Sequence, residues 1–238
     1  MDKLQLVERV PLTNREKETY RTLRTNIEFT GVENRVIAVT SCLPGDGKTT
    51  VSFQLACAFA ENGKKTLYID ADLRKSVFVQ RYEIKGNPKG LSHYLSGQEA
   101  LSKLIYKTNR EALYVMPVGS FPSNPTELFN KQRFAQLLEE AKKVFDYVIV
   151  DTPPLGSVID AAVIAKTCDA SILALASDNC SRGFVKSVVT QLRNANPNFL
   201  GVVLNKVDVS KSTYYNKKNG GYYGREDGVY ASYYGKEK

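Results

Sequence analysis

Two kinds of apolar pattern alternate along the chain. Short, nearly continuous apolar runs such as "VIAV", "YVIV", "ILALA" and "FLGVV" are separated by longer stretches in which apolar residues recur every three or four positions. Continuous runs of this length are expected of strands covered on both faces of a parallel sheet. The longer spacing is that of helices with one apolar side. The pattern predicts a first helix over "REKETYRTLRTNIEF", opened by a capping box at Thr13 and Glu16, with Tyr20, Leu23 and Ile27 on one side. A strand "RVIAVTS", a loop "CLPGDGK" and a helix from Thr49 to about Asn62 follow, with Gly63 as its stop. Next come a strand "TLYIDA", a less regular stretch over 76–110, a strand "LYVMPVG" and a helix "NPTELFNKQRFAQLLEEAKKVF" entered through a proline-rich turn. The chain then reads as strand "YVIVD", helix "SVIDAAVIAKTC", strand "ASILALA", helix "RGFVKSVVTQLRNA" and strand "FLGVVLN".

Strand alternating with helix in this way predicts an α/β fold, an open doubly wound and mostly parallel sheet with helices on both faces. The domain reading is an N-terminal helical segment over 1–30 that belongs to the same domain, a core over 31–209, and a tail over 210–238. The break lies just after Asp208. Beyond it, half of the 14 tyrosines (Tyr214, Tyr215, Tyr222, Tyr223, Tyr230, Tyr233 and Tyr234) stand among glycines and lysines, with only Val229 and Ala231 as aliphatic residues after Ser210. Such a segment cannot bury enough apolar surface to offset its ordering entropy, so the composition predicts a disordered tail.

Composition narrows the function classes. The net charge of +8 points to an anionic partner, whether nucleotide, nucleic acid or inner-leaflet lipid. No apolar run approaches the ~18 residues of a membrane span, and "MDKLQLVERV" lacks the apolar region of a signal peptide, so a cytoplasmic chain is expected. Cys42, Cys57, Cys168 and Cys180 show no C-x-x-C spacing, and a single histidine, His93, argues against a His-based metal or triad site.

Three strand ends carry the chemistry. "PGDGKTT" lies directly between an apolar strand and a helix, where glycines let backbone N–H groups close around oxyanions. Gly45, Asp46, Gly47, Lys48, Thr49 and Thr50 are therefore candidate nucleotide contacts. Lys48 is expected to reach the β/γ-phosphates and the Thr49 hydroxyl to ligate Mg²⁺. The strict loop pattern has glycine where this chain has Cys42. "YIDADLRK" places Asp70 and Asp72 at the next strand end, and "YVIVDTPP" places Asp151 at a third, in the Walker B manner. The set predicts a nucleoside-triphosphate site with metal, ligated by Thr49, Asp70 and Asp151. "LNKVD" has the form of a guanine-reading motif, yet Pro154 stands where a GTPase needs an N–H to sense the γ-phosphate. A base-side loop with Asn205 on adenine is the expectation, with guanine the alternative. Arg74 is open between anchoring the acidic cluster, contacting phosphate and making an ordinary surface ion pair.

With these motifs in place, the chain resembles the bacterial tyrosine kinases of capsule and exopolysaccharide synthesis. The likeness is carried by "PGDGKTT", "YIDADLRK", "VIVDTPP", the E-x-x-R-x-x-R segment at Glu18, Arg21 and Arg24, the proline-rich "PSNPTELF" and the tyrosine tail. The partitioning and division-site ATPases also share the site, but place a signature lysine where this chain has Leu43. The resemblance implies an ATP–Mg²⁺ kinase that autophosphorylates its tail tyrosines, with Lys48, Asp70, Asp72 and Asp151 as catalytic residues and Asp72 orienting or deprotonating the acceptor hydroxyl. It further implies a ring-like homo-oligomer, contacts through Glu18, Arg21 and Arg24, recruitment to the inner membrane face by a membrane-embedded chain-length regulator that activates it, and a cognate tyrosine phosphatase. No nucleic-acid partner is expected. An ATPase switch of the partitioning type is the alternative function.

Overall fold

The computed structural model describes residues 3–8, 10–129, 132–177 and 179–207. Residues 1–205 form one unit that holds the whole sheet; of 206–238, only Lys206 and Val207 are described. Strands β1 (Lys3–Leu4), β2 (Val36–Ser41), β3 (Thr66–Asp70), β4 (Tyr106–Thr108), β5 (Leu113–Met116), β6 (Tyr147–Asp151), β7 (Ala170–Ala176) and β8 (Phe199–Asn205) lie in the order β1-β4-β5-β3-β6-β2-β7-β8. Neighbours are parallel except β4 and β5.

Within each strand, successive side chains go to opposite faces and so to opposite cores. Val36, Ala38, Leu67, Ile69, Val148 and Val150 pack with α6 (Gln132–Lys142), α7 (Asp160–Ala165) and α8 (Arg182–Ala195). Ile37, Val39, Tyr68 and Ile149 pack with α2 (Lys48–Glu61) and with Ile27 of α1 (Asn14–Glu28). Helix α2 is buried nearly all round, as a helix trapped between a sheet and a second helix must be.

The first helix begins as its sequence specifies. Thr13 Oγ1 accepts from the Glu16 N–H, and the Glu16 carboxylate accepts from the Thr13 N–H at 2.8 Å. The Thr13 N–H and hydroxyl, both donating to that carboxylate, hold it below its ordinary pKa. Gly63, at a φ of +75°, follows α2 and donates to the Ala60 carbonyl.

Four expectations change. The stretch 76–110 contains α3 (Phe78–Arg81), α4 (Leu91–Leu95), a 3-10 turn and β4, each too short to show a period. The strand after Ala112 ends at Met116, because Pro117 has no N–H to continue the ladder. The helix expected over 124–145 is seen as α5 (Pro125–Phe129) and α6, on either side of two undescribed residues. The helix expected over 157–168 covers only Asp160–Ala165. At its start, the Leu155 N–H is tied to Ser41 O and Thr40 Oγ1, which holds the chain against β2 through a turn. At its end, Asn196 Nδ2 takes the Ala165 and Cys168 carbonyls and replaces the next helical turn.

Candidate active site

The three motifs meet because β3, β6 and β2 are neighbours. Asp70 and Asp151 are paired in register across β3 and β6, and Val39 of β2 pairs with Asp151 on its other side. The carboxyl ends of adjacent parallel strands thus carry two carboxylates and the loop that opens α2. This is the crevice where open α/β sheets bind ligands.

Lys48, at the first position of α2, is nearly buried among acids. Its Nζ lies 2.8 Å from Asp72 Oδ2, 3.5 Å from Thr49 Oγ1 and 4.0 Å from Asp151 Oδ1. Burial pulls the ammonium's pKa down, but Asp151, Asp72 and Asp70 outweigh it and hold lysine above its ordinary value. The other oxygen of Asp72 accepts the N–H groups of Arg74 and Lys75 at 3.3 and 3.0 Å. Asp70 receives the Ser76 hydroxyl. Asp70 is fully buried, and burial, reinforced by Asp151, pushes its pKa up to about 8. Asp151 is raised by burial as well, partly offset by Lys48 and by the nearby hydroxyls of Thr49 and Tyr68.

These shifts give a signed pH dependence. The folded protein keeps the Asp70 proton to about pH 8, whereas the unfolded chain releases it near its ordinary value of 3.8. Between those limits the unfolded state binds fewer protons, so metal-free stability falls as pH rises and levels off above about 8. Asp151 adds the same sign. Thermal melts in chelator should show Asp70→Asn losing less melting temperature than wild type over this window. Parallel curves for the two proteins would disprove the assignment.

The loop is held from within. Gly45 and Gly47 sit at φ +88° and +92°, in the left-handed region that favours glycine. A Cβ at Gly47 would stand 2.1 Å from Asn205 Nδ2, which donates to the Asp46 carbonyl at 3.0 Å. The Asp46 carboxylate is wholly buried, accepting the Leu43 N–H at 2.8 Å and Asn179 Nδ2 at 2.6 Å. Asp46 and the Asn205 amide nitrogen therefore brace the loop. Thr50 Oγ1 accepts from Arg81.

Arg74 anchors rather than reaching for the site. Its guanidinium makes a fork to the fully buried Asp160, with Nη2 3.1 Å from Oδ1, and Nη2 also bonds Thr126 Oγ1 at 3.1 Å. It thereby joins the loop after β3 to α5 and α7. A cleft of about 430 Å³ is lined in part by Ser76, Val79, Ile84, Val118 and Phe121, and Ser76, which donates to Asp70, links it to the acidic cluster.

Tyr68, Ser76, Asn179, Arg81 and Asp160 are site neighbours that motif reading missed. Tyr68 alone left a signal, since a phenol in a buried strand needs a polar partner. Glu18, Arg21 and Arg24 lie on α1, away from the acidic cluster. Arg21 meets Glu18 at 3.4 Å and Glu61 at 3.8 Å, all at the surface. Arg24 is half-buried, bonding the Ala58 carbonyl at 3.3 Å and pairing with Glu28 at 3.6 Å, so it ties α1 to α2 within one chain. The tail tyrosines and Asp208 lie outside the described residues.

No group of three or more His, Cys, Asp or Glu side chains forms a metal cage among the described residues. Magnesium does not require one, since it is commonly held by one or two carboxylates, substrate phosphates and water. The donors present fit that pattern: Asp151 Oδ1 is buried without a hydrogen-bond donor, near the Thr49 hydroxyl and Asp70.

A glycine loop entering a buried helix, facing acidic strand ends on a parallel sheet, defines a P-loop nucleotide-binding domain of the α/β class. The AAA domain family matches residues 34–199. Tyrosine-protein kinase CpsD of Streptococcus agalactiae is 41% identical over 228 residues, covering 95% of this chain and 98% of that protein. The kinase domain of Escherichia coli tyrosine kinase ETK superposes with a TM-score of 0.76 at 37% identity, covering 80% of this chain and 75% of that one. Septum site-determining protein MinD from Pyrococcus horikoshii OT3, complexed with Mg-ADP, follows the fold with a TM-score of 0.62 at 25% identity, over 71% of this chain and 69% of that one. The chain belongs to the bacterial tyrosine-protein kinase family.

Proposed function

We propose that this chain transfers the γ-phosphoryl group of ATP to tyrosines of its own C-terminal cluster, between subunits, and so regulates capsular or exopolysaccharide synthesis. The observation that carries the reading is the convergence of Lys48, Asp70, Asp72 and Asp151 at one crevice. Family membership favours the kinase over a partitioning-type ATPase switch.

The loop N–H groups of residues 45–50 cradle the phosphates, and Lys48 exchanges Asp72 for the β/γ oxygens as nucleotide enters. Asn205 Oδ1 remains to meet the adenine. Thr49, Asp70 and Asp151 hold Mg²⁺, which when bound neutralises charge on the β/γ-phosphates. As a ligand Asp70 would have to be ionised. Asp72, freed from Lys48, orients the acceptor phenol and takes its proton. The bond from the β–γ bridging oxygen to phosphorus breaks as the phenolic oxygen bonds to that phosphorus, and ADP leaves. The cleft beside Ser76 offers the acceptor an approach.

Purified protein incubated with labelled ATP and Mg²⁺ should acquire alkali-stable phosphate on tyrosine; ATP hydrolysis without such label would favour the switch. Among the described residues no helix is long and apolar enough to cross a membrane. Recruitment to the inner membrane face by a separate membrane-embedded chain-length regulator, and reversal by a tyrosine phosphatase, belong to the same proposal. So does a ring in which Glu18 and Arg21, which are exposed, contact a neighbour. Arg24 contributes by fixing α1 on α2. Arg21→Ala should then give smaller particles in light scattering, and an unchanged mass would remove that contact from the proposal.

A further inference from the structure

We propose that Tyr68 is a positioning residue for the transfer: its buried hydroxyl holds one oxygen of Asp151 so that the other is presented to the metal. The inference rests on the ATP–Mg²⁺ reading of the site given above. Tyr68 lies on β3 two residues before Asp70, so the two side chains leave the strand on the same face. Its ring is fully buried, set edge-on to Phe53 with centroids 5.4 Å apart and tilted against Phe78 at 4.6 Å. A ring clamped in this way has little freedom to move its oxygen.

That oxygen donates to Asp151 Oδ2 at 3.1 Å. Asp151 Oδ1 is buried outside hydrogen-bonding geometry with any donor, with the Thr49 hydroxyl nearby and Lys48 Nζ 4.0 Å away. Leaving a buried carboxylate oxygen without a donor is costly, and the cost is recovered when a cation takes that oxygen. The phenol therefore sets the plane of the carboxylate and leaves a single oxygen on the side of Lys48. Without the hydroxyl, Asp151 is free to turn and to pair more closely with Lys48, which weakens it as a metal ligand. Partners that orient a metal ligand typically contribute roughly 10- to 100-fold in metal affinity.

Tyr68→Phe keeps the ring packing and removes only the hydroxyl. The test measures binding of a fluorescent ADP analogue to the full chain across a Mg²⁺ titration and in chelator, alongside a thermal melt. The expected result is a Mg²⁺ midpoint raised on the order of tenfold, with binding in chelator unchanged. In an Asp151→Asn background, Tyr68→Phe should no longer move the midpoint, because the tyrosine acts through that carboxylate. An unmoved midpoint in the single variant, or an equal loss of binding with and without Mg²⁺, overturns the proposal. Should Tyr68→Phe not fold, Phe53→Leu loosens the seat of the ring while leaving the hydroxyl. Its midpoint should rise with binding in chelator intact, and an unmoved midpoint there is equally decisive against the idea. Absence of any Mg²⁺ effect on nucleotide binding in wild type would instead strike at the ATP–Mg²⁺ reading itself.

Discussion

Lys48→Met is expected to give a folded protein that no longer phosphorylates tyrosine. Lysine's stem is buried at the start of α2, and methionine can occupy that space without the charge. The loss falls on transfer because the ammonium is set among Asp70, Asp72 and Asp151, where it can move from carboxylate to phosphate. Removing a single charge-stabilising donor of this kind typically costs about 10²–10³ in rate. Phosphate label on tyrosine should fall by at least that factor, while circular dichroism retains the α/β signature. The acids lose their cation, so some stability should go too, although Asp72 keeps the N–H groups of Arg74 and Lys75. Undiminished transfer by the folded variant would falsify the assignment of the site.

Replacing all seven tail tyrosines with phenylalanine should abolish self-labelling while leaving the enzyme active. The substitutions remove acceptor oxygens beyond residue 210 and touch no residue of the crevice. Residues 210–238 carry six basic and three acidic side chains. Each phosphate adds about −1.5 to −2 charge, so two modifications bring the tail to neutrality or below. A chain of that length could reach roughly 95 Å if fully extended, which would suffice for the neighbouring subunit proposed above. Mixing the seven-phenylalanine protein with the Lys48→Met protein then tests direction: label should appear on the latter, whose own site is dead. If the two co-assemble and the inactive partner stays unlabelled, transfer occurs within a subunit.

Much of this was legible locally. The capping box at Thr13 and Glu16, the buried strands ending in Asp70 and Asp151, and the loop before Lys48 all depend on interactions within a few residues, and short-range spacing encodes them directly. The short elements β1, β4, α3 and α4 were not legible, because they lack a continuous apolar run and are too brief for a helical period to show. They exist through their partners: β1 pairs with β4, and β4 with β5.

The chain's own pattern therefore determined the class of fold, the succession of its main strands and helices, and which residue types could bind phosphate and metal. Tertiary structure alone decided which of them work together. The order β3-β6-β2 puts Asp70 beside Asp151 although they are separated in sequence by β4, β5 and several helices. It also decided that Lys48 faces Asp72, that Asp46 and the Asn205 amide brace the loop, that Arg74 locks onto Asp160, and that Tyr68 takes one oxygen of Asp151. The reason is physical. Periodicity reports the face on which a side chain lies, whereas a buried charge or hydroxyl takes its partner from whatever strand the packing of two apolar cores brings alongside.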